Sequence, residues 1–469
     1  MTAAIVVLLI IGYILIATEN FTNINKAAVA MFVGVVGWIL YMCDGTRFVM
    51  REHALEFTQF LAGGTASISA VKEFIAQHVF LKYITKACEI ILFMLATMTI
   101  VEVLNSNGCF DFIAEWFRTR NTRRLLWSIA SFTFLLSANL DNFTTTSMML
   151  VIMHSLVTNT RHRMMFGSVI LIAATCGGAF TVIGDVTSLA LWVNGAITPT
   201  AYSASLVLPT LVALVVPTYL IGRKLPVRLD TINSLPIYHG NDALINRWQR
   251  LFMLAVGIGG LWFIPTFHRI THLSPFVGAL CVLSLLWVVN EFYNRKLLSS
   301  DQMVLRRLPI ALQYGNIQTI LFFIGITLAI GAIKETGALH GAAQWCNSYV
   351  HNIYIMSLCL GAISSVLDSI VLVLSNISIF PVLQPGEMAQ GATDLSYSSA
   401  FTKDGSFWSL LGYCSALGGC VLTIGSMSGY ALMKMEKISI AWYIRHISGK
   451  VILGWLLGLV VYLLIVENG

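Results

Sequence analysis

Apolar runs of membrane-spanning length recur along the entire chain, and nothing else in the sequence restricts the fold as strongly. A helix needs about 17–25 predominantly apolar residues to cross a bilayer core. Ten segments read as spans: Thr2–Ala17, Ala27–Cys43, Thr85–Leu104, Met164–Ile197 (broken), Ser203–Gly222, Leu251–Phe267, Phe276–Phe292, Ile317–Ile333, Phe407–Met433 (broken) and Val451–Val466. Only 11% of the 469 residues are charged and 57% are hydrophobic, against roughly 25% charged in soluble domains. The chain is therefore read as an all-α polytopic membrane protein. Its net charge of +6 then reports loop orientation rather than affinity for nucleic acid, because Lys and Arg concentrate in cytoplasmic loops. The nine cysteines form no CxxC pair, so neither a disulfide framework nor a zinc site is signalled. The opening run MTAAIVVLLIIGYILIA has no basic start and no obvious cleavage site, and reads as a retained helix.

Two apolar stretches do not behave as simple spans. Leu125–Val157 has 33 residues, about 50 Å as one helix, well beyond the ~30 Å hydrocarbon core. It is interrupted by SANLDNFTTT, and both flanks are basic: Arg118, Arg120, Arg123 and Arg124 before it, Arg161 and Arg163 after it. That pattern predicts a re-entrant hairpin from the cytoplasmic side over 125–157, with Asp141 near its tip. Ile353–Phe380 contains SSVLDSIVLVLSNIS and has acidic Glu387 and Asp394 after it; it predicts a second hairpin, over 353–380, entering from outside. The segments Arg223–Arg250, Arg295–Arg307 and Lys434–Lys450 are basic and fit cytoplasmic loops. Asp44–Ile84 reads as a long amphipathic loop that falls outside on this path although it carries Arg47, Arg51, Lys72 and Lys82; long segments obey the positive-inside rule less strictly.

The interrupted segments repeat. SANLDN (137–142) matches SSVLDS (364–369), and GGAFTVIGDVTSLAL (177–191) matches GGCVLTIGSMSGYAL (418–432), in the same order. Each half thus reads as five transmembrane helices plus one re-entrant hairpin. An odd number of crossings requires the second half to be inverted. The expected organisation is a first repeat over 1–222 with its broken helix at 164–197, a cytoplasmic linker over 223–250, and a second repeat over 251–469 with its broken helix at 407–433. Inverted repeats with interrupted helices in matching places point to the binding site of a secondary transporter.

Non-helical backbone at membrane depth is tolerated only against protein or a wet cavity, where freed carbonyls and helix ends can coordinate a cation. Gly177, Gly178 and Gly184, with Gly418, Gly419 and Gly425 in the second copy, are expected to permit the unwinding. A single Gly-Gly pair equally admits close helix packing. Asp185, Thr187 and the hairpin-tip residues Asn139, Asp141, Asn142, Thr144 and Thr145 supply hard oxygen donors, which suit hard cations. Na⁺ is placed at Asp141 and Asp185. The mirrored second site comprises Ser365, Asp368, Ser369, Ser426 and Ser428, with Ser426 standing where the first copy has Asp185. An intramembrane aspartate is costly and by default functional. Each hydroxyl taken alone could instead back-bond to its own helix. Glu102 is a candidate proton relay, although its place near a helix end equally admits snorkelling or pairing. No His-Glu-x-x-His motif, nucleophile elbow or convergent His/Cys cluster appears in these segments, so the reading is a transporter without a cofactor rather than an enzyme.

The four segments SANLDNFTTT, GGAFTVIGDVTSLALW, SSVLDS and GGCVLTIGSMSG resemble the signature segments of NhaD-type sodium/proton antiporters, within the ion transporter superfamily that also holds sodium-coupled divalent-anion symporters. The resemblance covers essentially the whole chain in segment order. It places Asp141, Asn142, Asp185, Thr187, Asp368 and Ser426 on the family's motif positions. It implies a homodimer with a scaffold domain and an elevator-type transport domain, exchanging cytoplasmic Na⁺ or Li⁺ for external H⁺ in a bacterial inner membrane and so serving pH homeostasis. Family members tend to have Asp-Asn-Pro in the second hairpin, where this chain has Asp368-Ser369-Ile370. The alternative is a sodium-coupled anion symporter of the dicarboxylate type on the same fold. Three buried aspartates favour cations and protons over an anionic substrate.

Overall fold

Hydrocarbon offers no partner to backbone N–H and C=O groups, so an apolar chain of this kind must pair them within helices. The computed structural model is built almost wholly of helices. It describes all residues except 23, 63–64, 111–116, 118, 120, 228–245, 295–313, 390–391, 393 and 469. Among the described residues there is no strand, only isolated bridge positions such as that between Leu383 and Thr402. Arg118, Arg120, most of the 223–250 linker and the basic segment 295–307 lie outside the described residues.

The principal helices are α1 (Thr2–Ala17), α2 (Lys26–Cys43), α3 (Ile68–Ser106), α4 (Thr122–Ser137), α5 (Asn142–Leu156), α6 (Thr160–Ala179), α7 (Val186–Val193), α8 (Pro199–Gly222) and α9 (Arg247–Thr271). They continue as α10 (Pro275–Asn294), α11 (Tyr314–Glu335), α12 (Ala338–Tyr349), α13 (Ile353–Ser364), α14 (Ser369–Ile379), α15 (Ser406–Leu422), α16 (Met427–Glu436) and α17 (Ile440–Ile465). Among the described residues eight helices are long and apolar enough to cross a membrane, with α15 and α16 taken as one interrupted span. The protein is a multi-pass, all-helical membrane protein, as the apolar runs imply.

Two expectations need correction. The segment 44–84 is not a loop: it folds into Gly45–Glu52 and Ala54–Leu61 and then into the start of α3. The span expected at Thr85–Leu104 is thus the inner part of a 39-residue helix, about 58 Å long, which includes the π-wound stretch Ile75–Phe80. Lys72, Lys82 and Lys86 hide this continuity in a reading by hydropathy. The second correction concerns the glycines. Gly177 and Gly178 lie within α6, and Gly418 and Gly419 within α15; the chain unwinds only after them, over 180–185 and 423–426. None of these glycines has a positive φ. They permit close approach instead. A Cβ on Gly177 would strike the Phe134 carbonyl of the first hairpin, and one on Gly418 the Gly361 carbonyl of the second.

The helices pack as two bodies. In one, α2 runs along α11, α1 packs on α2, and α3 packs on α9, α10 and α11. Glycines set the α2–α11 contact: a Cβ on Gly34 would meet the Gly325 carbonyl. In the other body α8 packs on α17, α4 and α5 on α6, and α13 on α15. The halves interlock there: α5 of the first hairpin packs on α16, and α14 of the second on α7. The bodies meet where α14 touches α11 and α12, and where α7 touches α3.

Candidate functional site

Each hairpin turns at an aspartate, and each interrupted helix restarts at an oxygen-bearing residue. Asp141 is the N-cap of α5: its Oδ2 accepts from the backbone N–H groups of Phe143 and Thr144, both at 3.1 Å, and from the Thr144 hydroxyl at 3.3 Å. Asp368 is the N-cap of α14, its Oδ1 accepting from Ile370 N–H at 3.2 Å. Ser426 is the N-cap of α16, its Oγ accepting from Gly429 N–H at 3.0 Å. N-caps satisfy otherwise orphaned helix donors, and Asp and Ser serve well there. Asp185 occupies the same position on α7 yet makes no side-chain capping bond; its Oδ2 accepts from the Thr187 hydroxyl.

These four helix starts converge. Asp141, Asn142, Asp185, Asp368, Ser369, Ser426 and Ser428 line one narrow cavity of about 60 Å³, together with Thr175, Met427, and Met94, Met98 and Thr319 from α3 and α11. Room for a few water-sized guests is all it offers, since about 10–15 Å³ suffices for one. The two sites expected as mirror images therefore face a common space at the junction of the two bodies. Four helix N-termini aim there, and each favours negative charge nearby, which keeps carboxylates in place without basic partners from their own helices.

The first tip is stitched to the first break. With its amide nitrogen turned inward, Asn142 donates to the Ala174 carbonyl at 2.9 Å, the Gly184 carbonyl at 3.1 Å and Ser137 Oγ at 2.8 Å. Thr181, which the sequence motifs did not single out, donates to the Ala138 carbonyl at 2.8 Å and accepts from Gly184 N–H at 3.0 Å. Ser188 donates to the carbonyls of Thr181 and Asp185. A Cβ on Gly178 would collide with Asn142 and with the Gly184 carbonyl, and one on Gly425 with the Ser364 carbonyl. The same close approach thus holds each hairpin tip against its break.

Other expected ligands do not line the cavity. Asn139 donates to the Leu135 carbonyl and Ser365 to the Ala362 carbonyl, each back to the last turn of the helix before it. Thr144 and Thr187 spend their hydroxyls on Asp141 and Asp185. Thr145 is buried, and its hydroxyl has no partner among the described residues. Glu102 lies on α3 one turn beyond Met98, about 6 Å further along that face. Among the described residues no three His, Cys, Asp or Glu side chains come together to hold a metal. Neutral oxygens must therefore complete the shell of any cation the aspartates hold. The residue that sequence reasoning missed outright is Lys26. Its ammonium lies 2.8 Å from Asp368 Oδ2. A lysine in the first turn of a helix opposes the macrodipole, and that placement was the available signal.

Comparison with known proteins decides the family. Residues 13–402 match the citrate transporter family. This chain is a member of that family. Among its relatives, sodium/proton antiporter 2 of Arabidopsis thaliana is 29% identical over 454 residues, covering 97% of both chains. Sodium/proton antiporter 1 of the same plant is 30% identical over 455 residues, 97% of this chain and 70% of its own. The Na⁺/H⁺ antiporter NhaD of Vibrio cholerae is 24% identical over 487 residues, covering 97% of this chain and 90% of its own. The resemblance of the four motif segments to NhaD-type antiporters is borne out by these relatives. The family member is a transporter and not an enzyme.

Proposed function

We propose that this transporter exchanges cytoplasmic Na⁺ or Li⁺ for external H⁺, with the two ions competing for the carboxylates of the shared cavity. The observation that carries the reading is the convergence of Asp141, Asp185 and Asp368 on one ion-sized space. Asp185 is the principal cation ligand, because no capping bond occupies its carboxylate. Asp141 gives one oxygen to its helix and keeps the other without a protein partner among the described residues. Asn142, Ser369, Ser426 and Ser428 supply neutral oxygens around them. Thr187 orients Asp185, and Thr144 orients Asp141. Glu102, one turn from the cavity along α3, suits a proton path toward it.

The matched order of hairpin and break in 1–222 and 251–469 supports an inverted repeat, and the division into two bodies supports an elevator. In that arrangement α1–α3 and α9–α11 form the scaffold, while the hairpins and interrupted helices form the moving domain. A homodimer joined through the scaffold, a bacterial inner membrane and a role in pH homeostasis complete the proposal. The family description names citrate, which raises the anion-symporter reading. A cavity lined by three carboxylates, with Lys26 already paired to Asp368, repels a polycarboxylate.

Everted membrane vesicles carrying a respiratory proton gradient provide the test. Na⁺ and Li⁺ are expected to collapse the gradient, while K⁺ and citrate leave it. A response to citrate with none to Na⁺ alone would overturn the reading.

A further inference from the structure

The Lys26–Asp368 pair joins the two bodies. Lys26 opens α2, which is packed along α11, whereas Asp368 caps the second arm of the second hairpin. Their side chains are 18% and 7% exposed, so the pair is largely withdrawn from solvent. The Lys26 ammonium also lies 4.7 Å above the centre of the Phe322 ring of α11, within range of a cation–π contact. Its backbone N–H is held by Glu19 at 3.3 Å. The lysine is thus anchored on one body and aimed at a carboxylate of the other. Asp368 also lines the ion-sized cavity.

We propose that Lys26 is a tethered competitor for the transported cation, holding Asp368 when no ion is bound there and latching the second hairpin to the α2–α11 body. This rests on the cation-exchange reading above. An ammonium and Na⁺ carry the same charge, so exchanging one for the other at Asp368 never leaves the carboxylate bare at membrane depth, a state that is costly. Relative movement of the two bodies pulls Lys26 from Asp368, and an ion taking the lysine's place permits it. A latch of this kind obstructs movement of the empty carrier, and so promotes obligatory coupling. Lys26 is a positioning residue: it acts on the transported ion through Asp368. A purely structural ion pair predicts loss of stability with no change in ion affinity. A competitor predicts that its removal tightens Na⁺ binding.

The test measures the apparent KM for Na⁺ in everted vesicles at one fixed pH, together with the Na⁺ concentration giving half-maximal thermal stabilisation of the purified protein. Lys26→Gln is expected to lower both by about three- to tenfold, the scale of a modest ion pair, while Lys26→Arg keeps wild-type values. In an Asp368→Asn background, Lys26→Gln should leave the stabilisation midpoint unchanged. Phe322→Leu, which removes only the ring beneath the ammonium, should shift both in the same direction by a smaller factor, and serves if Lys26→Gln does not accumulate. Unchanged or raised values in the variants that fold, or an equal shift without Asp368, would overturn the proposal. Wild-type vesicles showing no Na⁺-driven proton movement would overturn the exchange reading itself.

Discussion

Replacing Asp141 and Asp185 each by asparagine and by alanine separates what the two carboxylates do for the fold from what they do for the ion. Asp141 Oδ2 caps α5 through two backbone N–H groups at 3.1 Å. Asparagine retains a capping oxygen and caps about as well as aspartate, whereas alanine forfeits about 0.5–2 kcal/mol. For a large chain that is a lowering of the melting temperature by about 1–8 °C, at about 2–4 °C per kcal/mol. Asp185 makes no such cap, so Asp185→Ala should melt close to wild type. Transport should rank differently. A full charge about 4 Å from a bound cation contributes roughly 4 kcal/mol at an effective dielectric of 20, about a thousandfold in affinity. Asp141→Asn and Asp185→Asn should therefore both abolish Na⁺-driven proton release in everted vesicles while both melt normally. Thermal unfolding in detergent, followed by size-exclusion fluorescence, supplies the stability arm. If Asp185→Ala were as destabilised as Asp141→Ala, the assignment of Asp185 as a carboxylate that does not cap its helix would be wrong. Full transport by either asparagine variant would remove that residue from the mechanism.

Three further outcomes follow from the geometry. Gly178→Ala forces a methyl into Asn142 and the Gly184 carbonyl, which should cost about 1–3 kcal/mol as overpacking and depress Na⁺ exchange; Gly341→Ala, where a Cβ meets nothing within 4 Å, is the control in both measurements. Ser426→Asp adds a carboxylate to the cavity at a residue that already caps α16, and should change the pH profile of exchange without loss of expressed protein; an identical profile would show that Ser426 does not reach the ion. Outside the spans, His53 bonds Glu335 at 2.6 Å, and this bond, partly offset by burial, raises the His53 pKa. A raised pKa means that the stabilisation is full below the ordinary value of about 6.5 and is lost as pH rises through the folded value. Hydrogen exchange of Gly45–Leu61 should therefore quicken on the alkaline side, and a His53→Gln variant should lack that step.

Much of this was legible because polar residues in apolar runs are costly and thus informative. Asp141, Asp185 and Asp368 stand out for that reason alone, and the repeated SANLDN/SSVLDS and GGAFTVIGD/GGCVLTIGS segments locate both tips and both breaks. What was hidden is geometric. Hydropathy cannot tell a glycine that unwinds a helix from one that lets neighbouring chain approach; Gly177 and Gly418 admit a hairpin carbonyl, and Gly178 and Gly419 admit the break that follows them. Lys72 and Lys82 look like part of a loop, although they lie on a helix that begins at Ile68. Asn139 and Ser365 share motif composition with true cavity residues, but a side chain's direction at a turn depends on where the helix starts. Lys26 was passed over because a basic residue at the start of a span reads as a loop charge, and only the packing of α2 beside α11 brings it to Asp368.

The inequality of the two copies follows from the same contacts. Asp141 and Asp368 are equivalent in sequence and in capping, yet one oxygen of Asp368 is already matched by an ammonium while Asp141 meets only neutral donors. Asp185 and Ser426 are equivalent in position, yet the serine caps its helix and the aspartate does not. Net negative charge in the cavity is therefore concentrated on the first copy, where a transported cation has no tethered rival. The second copy carries the rival and lies on the helix, α14, that contacts α11 and α12 of the opposite body. The principal cation ligand, Asp185, and the carboxylate at which the ion meets its tethered rival, Asp368, thus fall on different copies of the repeated motifs. They share a cavity small enough that a charge entering at Asp185 acts directly on the Lys26–Asp368 pair.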